Sequence, residues 1–299
     1  VIFVTHKLDD ANRLCDQAVI MRRGKVVAFT TLPCTEDKLV KHMFGKNFPK
    51  IPLCHEPQPT TVLSVNQLTY DERSLRVKNV SFAIQKGEVI GLAGIEGSGQ
   101  KGLLRALSGY KPITGGKIIF EDEDISHLSF QSLQRMGIRL LPADRLGEGL
   151  ISGLSIAEHS ALVSQTQHFV LDEANARKIA QEKIQKYNIK GDVNTLAGQL
   201  SGGNQQRLML SLLSDASKLL LLEHPTRGLD IESASAGWKV VQQQCQEGAS
   251  IIFTSAELDE ILESCDRIFV FYEGRLSSPI VSRNTSVNEL GLLIGGKGF

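Results

Sequence analysis

The sequence has no excess of either charge: Lys+Arg and Asp+Glu both number 33 in 299 residues. Nothing in that balance argues for a nucleic-acid surface or a strongly basic membrane patch. It also lacks any apolar run approaching the roughly 20 residues that span a bilayer. Its five cysteines, Cys15, Cys34, Cys54, Cys245 and Cys265, form no Cys-x-x-Cys pair. That usage fits a reducing cytosol better than a disulfide scaffold. There is neither an initiator Met nor a signal peptide. The chain opens on Val1-Ile2-Phe3-Val4, in the manner of a strand, and reads as a fragment whose front is missing. Its length suits one large domain plus a remnant, or two small domains.

What is present begins with an internal repeat. Residues 1–25 align without gaps on residues 251–275, with seven of 25 positions identical, among them Leu8/Leu258, Asp9/Asp259, Cys15/Cys265, Asp16/Asp266 and Gly24/Gly274. A period of about 250 residues is the size of a domain, not of a solenoid unit. Residues 1–48 are therefore expected to be the tail of one domain, and residues 63–299 a second, nearly complete copy. Residues 49–62 would be a surface linker, since Phe48 to Thr61 holds Pro49, Pro52, Pro57 and Pro59 and no helix or strand period.

Val62 to Val65 and Val80 to Ile84 read as antiparallel strands, and Val89 to Ala93 as a buried parallel strand. Ser126 to Met136, Asp172 to Tyr187 and Ile231 to Gln246 read as helices, with a further strand at Ile251 to Thr254. Strands alternating with helices predict an α/β fold with a parallel sheet covered on both sides.

Three motifs carry chemistry. Gly94-Ile95-Glu96-Gly97-Ser98-Gly99-Gln100-Lys101-Gly102 follows a strand, opens a helix and has the glycine skeleton of a P-loop, whose N–H groups cradle phosphates. The plainer alternative is a tight strand-to-helix turn without a ligand. Leu200-Ser201-Gly202-Gly203-Asn204-Gln205-Gln206-Arg207 runs into an apolar helical stretch, so glycines and a helix N-terminus would meet an anion there. Leu219 to Leu222 is a strand buried on both faces. It delivers Glu223 and His224 to the carboxyl edge of the sheet, ahead of Pro225-Thr226-Arg227-Gly228-Leu229-Asp230.

At that spacing the three motifs resemble the Walker A loop, signature loop and Walker B strand of ATP-binding cassette (ABC) ATPases. The resemblance implies a P-loop parallel-sheet core, an antiparallel β edge subdomain and an α-helical signature subdomain near residues 125–200. Its cofactors would be ATP and Mg²⁺, mainly at a composite site with the first cassette. With Pro142-Ala143-Asp144-Arg145-x-Gly147-x-Gly149-Leu150, the resemblance extends to the tandem-cassette ATPase subunits of bacterial simple-sugar and nucleoside importers. It further implies integral-membrane permease partners, an indirect solute-binding protein, no nucleic acid, and a peripheral place on the cytoplasmic face of the membrane. The loop Gly147 to Leu154 and the helical subdomain would meet the permease.

The sequence also departs from the family pattern. Gln100 and Lys101 stand where a P-loop has Lys and Ser or Thr. Ala143 stands for the Q-loop Gln, Glu223 for the Walker B Asp, His224 for the catalytic Glu and Ala256 for the switch His. The repeat places His6 at the switch position of the first cassette. Groups that ABC dimers lend to the opposite cassette are kept, from Ser201, Gly202, Gly203, Asn204 and Gln205 to Asp230. The expected nucleotide-contacting set is Gly94, Gly97, Ser98, Gly99, Gln100, Lys101 and Gly102 on one side and these lent groups on the other, with no metal-ligand cluster of the chain's own. The pattern predicts one competent and one degenerate site. Two other classes compete: a non-transport tandem ABC protein acting on ribosomes or DNA, which would keep both sites intact, and a regulatory nucleotide-binding scaffold.

Overall fold

The computed structural model describes residues 1–5, 8–22, 24–35, 38–39, 42, 57–72, 74–163, 172–213 and 217–299. Its strands are β1 (Gln17–Arg22), β2 (Lys25–Thr31), β3 (Gln58–Glu72), β4 (Leu75–Lys86), β5 (Val89–Gly94), β6 (Gly115–Phe120), β7 (Glu123–Asp124), β8 (Ile138–Leu141), β9 (Leu219–Glu223), β10 (Ser250–Thr254), β11 (Arg267–Tyr272), β12 (Arg275–Leu276) and β13 (Ile280–Val281).

An apolar run without polar alternation must be covered on both faces, and the leucines of β9 are. The main sheet has the order β12-β11-β5-β10-β9-β8, with β13 also beside β11. From β11 to β8 the neighbours are parallel. Successive β9 side chains alternate between two cores. Leu220 and Leu222 join Leu208, Met209, Ala180 and Ile184 on the helical side. Leu219 and Leu221 join Leu103, Leu104 and Leu107 on the side closed by a second, antiparallel sheet of order β4-β3-β6-β7. This is the α/β layering that the alternation of elements predicts. Among the described residues, no helix is long and apolar enough to cross a membrane.

The helix predicted over Asp172 to Tyr187 is Glu173–Lys186, capped by the Asp172 side chain accepting from Asn175 N, and Ile231–Gln246 forms as expected, capped by Asp230. Two expectations are corrected. The helix expected from Ser126 begins only at Phe130, because Ser126 Oγ accepts from Ile118 N (2.9 Å) and its own N–H donates to Asp124 Oδ1 (3.0 Å). Ser129 caps the helix instead, accepting from Ser132 N. In the expected linker, residues 49–56 lie outside the described residues, while Gln58 to Thr61 already belong to β3. That stretch pairs with β4 alone, through a bulge between Gln58 and Thr61; pairing with β6 starts at Leu63. Among the described residues nothing pairs with the other side of the strand there, an edge position that suits Pro59.

The sequence repeat is also a structural one. The helix Leu8–Leu14 matches Leu258–Ser264. The β1–β2 pairs Met21↔Val26 and Arg22↔Lys25 match the β11–β12 pairs Phe271↔Leu276 and Tyr272↔Arg275, residue for residue at an offset of 250. His6 lies outside the described residues.

Leu221 is fully buried between the two sheets. Truncating it to Ala should cost about 2–5 kcal/mol, since the rigid sheet limits collapse into the cavity. Urea unfolding of the chain, with an unchanged m-value, checks this.

Candidate nucleotide site

The carboxyl ends of β5, β10 and β9 lie side by side, so the turn after β5 and the charges after β9 converge. Residues Gly94 to Gly99 leave β5 and deliver the helix Gln100–Leu107. Gly99 has φ 133°, and a Cβ there would meet the Phe271 ring at 2.7 Å, so only glycine makes this turn. The Tyr70 hydroxyl donates to Gly99 O (2.9 Å), and Gln100 Nε2 donates to Ile95 O (3.3 Å), which folds the Gln100 side chain back on the loop. Tyr70 stays protonated, because burial first and the nearby Glu72 second push its phenol well up. Gly97 and Ser98 lie partly exposed at the turn.

Glu223 ends β9 with a wholly buried side chain. Arg105 Nε donates to Glu223 Oε1 at 2.8 Å, the Lys101 ammonium lies 3.5 Å from Oε2, and Ala143 N donates to Oε2 at 3.2 Å. Arg105 Nη2 also pairs with Glu148 at 2.5 Å. Burial alone would lower the Arg105 guanidinium, but the bonds to Glu223 and Glu148 more than reverse that and hold it charged. His224 takes a left-handed conformation, φ 47°, and its imidazole is held below the usual histidine range by burial first and Arg227 second. It is neutral at pH 7. Ala256 is exposed just beyond β10. Gln100, Lys101, Ala143 and Glu223 thus meet at one sheet edge. Arg105, Glu148 and Glu72 belong there too; only a search at helical spacing beyond the P-loop would have pointed to Arg105.

The arrangement does not fit a Mg²⁺ ion. The carboxylate that would carry the metal's water shell is already neutralised by Lys101 and Arg105.

The signature segment is different. Ser201 precedes the helix Gly202–Leu212 without capping it, and its Oγ accepts from Asn204 Nδ2 (2.8 Å). Ser201, Gly202, Gly203 and Asn204 line an open cleft of about 390 Å³ with Lys190, Arg207 and Asp230. Lys190 and Arg207 are missed by motif reading because they lie outside the signature loop's glycine core. Gln205 is buried, its Nε2 donates to Ala197 O (3.1 Å), and it does not line the cleft. As the fourth residue of the helix it sits on the inward face, one position past the open turn. Asp230 Oδ1 accepts from Ser233 N (2.7 Å), so it also caps a helix. Arg145 links the segments, donating to Arg227 O (3.1 Å) with its guanidinium beside Gly202. Exposed helix-terminal amides with two flanking cations suit a phosphate.

A strand-to-helix glycine turn, a buried charged strand end and an open serine–glycine helix start together have the layout of a nucleotide-binding cassette. The ABC transporter family model matches residues 77–227, half of the chain, and the protein belongs to that family. The nucleoside import ATP-binding protein NupA of Lactococcus lactis subsp. cremoris is 32% identical over 307 residues, covering 99% of this chain and 61% of NupA. The ribose import ATP-binding protein RbsA of Caldanaerobacter subterraneus subsp. tengcongensis is 33% identical, covering 99% of this chain and 61% of RbsA. The chain thus spans about three fifths of the length of these relatives. Among solved structures, the ATP-binding cassette MJ1267 superposes with TM-score 0.68 at 18% identity, covering 79% of this chain and 98% of that one. The dimeric cassette MJ0796 bound to ADP and Pi gives 0.63 at 20%, covering 74% and 99%. At such identity both show the fold alone.

Removing one partner of a buried pair strands the other charge. Arg105→Ala should therefore destabilise the chain by about 3–5 kcal/mol, whereas Arg105→Met combined with Glu223→Leu should recover most of the loss, as apolar replacements of buried ion pairs do. Denaturant midpoints of the three proteins check this.

Proposed function

We propose that this chain is the C-terminal part of a tandem-cassette ATPase subunit that drives import of nucleosides or simple sugars through a membrane permease. Residues 1–48 would be the tail of the first cassette, 49–62 a connection and 63–299 the second cassette. The carrying observation is the contrast between the chain's two half-sites. Its signature cleft is open and cationic, with Ser201 to Asn204 at its wall, while its own P-loop side is closed by internal charge pairs. ABC cassettes pair head to tail, so the signature loop would hold the γ-phosphate of ATP bound with Mg²⁺ on the first cassette.

The N-terminal hairpin supports the tandem reading. It exposes Val19 and Met21, whose repeat counterparts Phe269 and Phe271 are buried against the second cassette's own sheets. Among the described residues no strand stands beside this hairpin as β5 stands beside β11, which fits a tail that belongs to another such body. The names of the two relatives, nucleoside import and ribose import, favour a small polar solute. The protein would then sit peripherally on the cytosolic face of the membrane, with the loop Gly147 to Leu154 towards the permease. A solute-binding protein would deliver the substrate on the other side.

No chemical step is assigned to this cassette's own P-loop. Its Walker B position is bound by Lys101 and Arg105, and the neutral His224 is no carboxylate base. The chain alone should show no ATP hydrolysis above background, measured by phosphate release. In the full-length subunit, Ser201→Ala should lower kcat by about 10²-fold or more, because a transition-state contact is lost across the interface. His6→Ala should do the same while ATP still binds, and Ala256→His should leave turnover unchanged. Vesicle transport assays with the permease compare the three; full turnover in Ser201→Ala would refute the head-to-tail assignment.

A further inference from the structure

The helix after the P-loop begins where phosphate would be held, yet one of its first amides already has an anion. Gly102 N donates to Glu72 Oε2 at 2.9 Å, in a buried contact. Glu72 ends β3, and only 6% of its surface is exposed. Space has been made for it: a Cβ on Gly102 would lie 2.7 Å from the Tyr70 ring and 2.8 Å from Glu72 Oε2. Any side chain at residue 102 would expel one or the other. Tyr70, two residues before Glu72 on the same face of β3, is itself fastened to Gly99 O. Glu72 is thus placed by a strand, a ring and a glycine, all fixed.

Helix N-termini after glycine-rich turns bind phosphates through their free N–H groups and the positive end of the dipole. A carboxylate in that place satisfies the same donors and repels a second anion within a few ångströms. On the far side of the turn, Lys101 and Arg105 occupy the carboxylate that a metal would otherwise serve. We propose that Glu72 is a built-in anion that occupies the phosphate seat of this cassette and shuts nucleotide out of it. The charges of a magnesium nucleotide are supplied from within the chain: negative at Gly102, positive at Glu223. The cassette would hold the conformation of a filled P-loop without a ligand and leave nucleotide to its partner. This rests on the reading of the second cassette as degenerate, and goes past it: that reading leaves room for weak binding, whereas an occupied seat leaves none.

The test is ATP binding to the 299-residue chain, followed by equilibrium dialysis with and without Mg²⁺. The unaltered chain should show no saturable binding up to about 1 mM ATP, a range set by the weakest useful affinities. Glu72→Gln, which keeps the shape and removes the charge, should tighten ATP by about tenfold or more, as removal of one close like charge does. Adding Gly97→Asp, which places a new carboxylate at the turn, should abolish that gain and so locate it. Should Glu72→Gln fail to fold, amide exchange in the unaltered chain decides: the Gly102 N–H should be protected equally with and without ATP. Saturable ATP binding by the unaltered chain that Gly97→Asp removes, a folded Glu72→Gln that gains nothing, or a Gly102 amide protected only by ATP would each overturn the proposal. Hydrolysis by the unaltered chain would instead overturn the degenerate-cassette reading, and a gain of binding without hydrolysis in Glu72→Gln supports both.

Discussion

The site is organised around one buried carboxylate. Glu223 is placed at the buried end of β9, where an unpaired charge would cost several kcal/mol. The chain answers with three donors from two places: Arg105 and Lys101 from the helix after β5, and the Ala143 amide from the exit of β8. Arg105 passes the tie on to Glu148 in the following turn. The P-loop helix, the exit of β8 and its turn are consequently held to a single point. None can shift without exposing a charge to a medium that cannot solvate it. That constraint explains why the P-loop side is closed, and it leaves the signature side as the polar surface open to a partner.

The two half-sites illustrate opposite uses of the same element. Both start with glycines and run directly into a helix. At Gly102 the amide is taken by Glu72, and the charges nearby are paired. At Ser201 to Asn204 the side chains bond mainly among themselves or to the adjoining loop, as Asn204 does through Ser201 Oγ and Lys190 N, and the cleft in front stays open. An electrostatic pocket is set less by its helix terminus than by which counter-charges the surrounding chain brings to it.

Much of this was legible in the sequence where the signal was local. The leucine run fixed β9 and its burial, the Asp172 and Asp230 caps fixed two helix starts, and the glycine skeleton fixed the turn after β5. Partners distant in sequence were not legible. Arg105 reaches Glu223 across 118 residues, and Glu72 reaches Gly102 across 30. Helical spacing beyond the P-loop singles out Arg105 but not its partner, and nothing near Glu72 announces its contact. The false start of the helix at Ser126 has the same origin. A serine that could cap a helix was claimed by a hydrogen bond from Ile118, a competition among short polar side chains that propensity alone does not resolve. Gln205, next to the signature glycines in sequence, lies one further step around the helix, where it faces inward and its amide donates to Ala197 O.

The repeat separates local from tertiary information more sharply. At an offset of 250 residues the chain draws the same hairpin register twice, Met21↔Val26 and Phe271↔Leu276. Backbone pairing therefore follows from short-range sequence in both copies. Burial does not: Phe271 is enclosed between β5 and the antiparallel sheet, while Met21 faces outward. A two-stranded hairpin is marginal in water by itself. Among the described residues β1 and β2 have no strand beside them of the kind β11 has in β5, and the small cluster of Ile20, Leu32 and Leu39 is all the core that the described N-terminal residues form for themselves. The same sequence pattern thus gives the same pairing in both copies, and the burial differs with what stands beside each among the described residues.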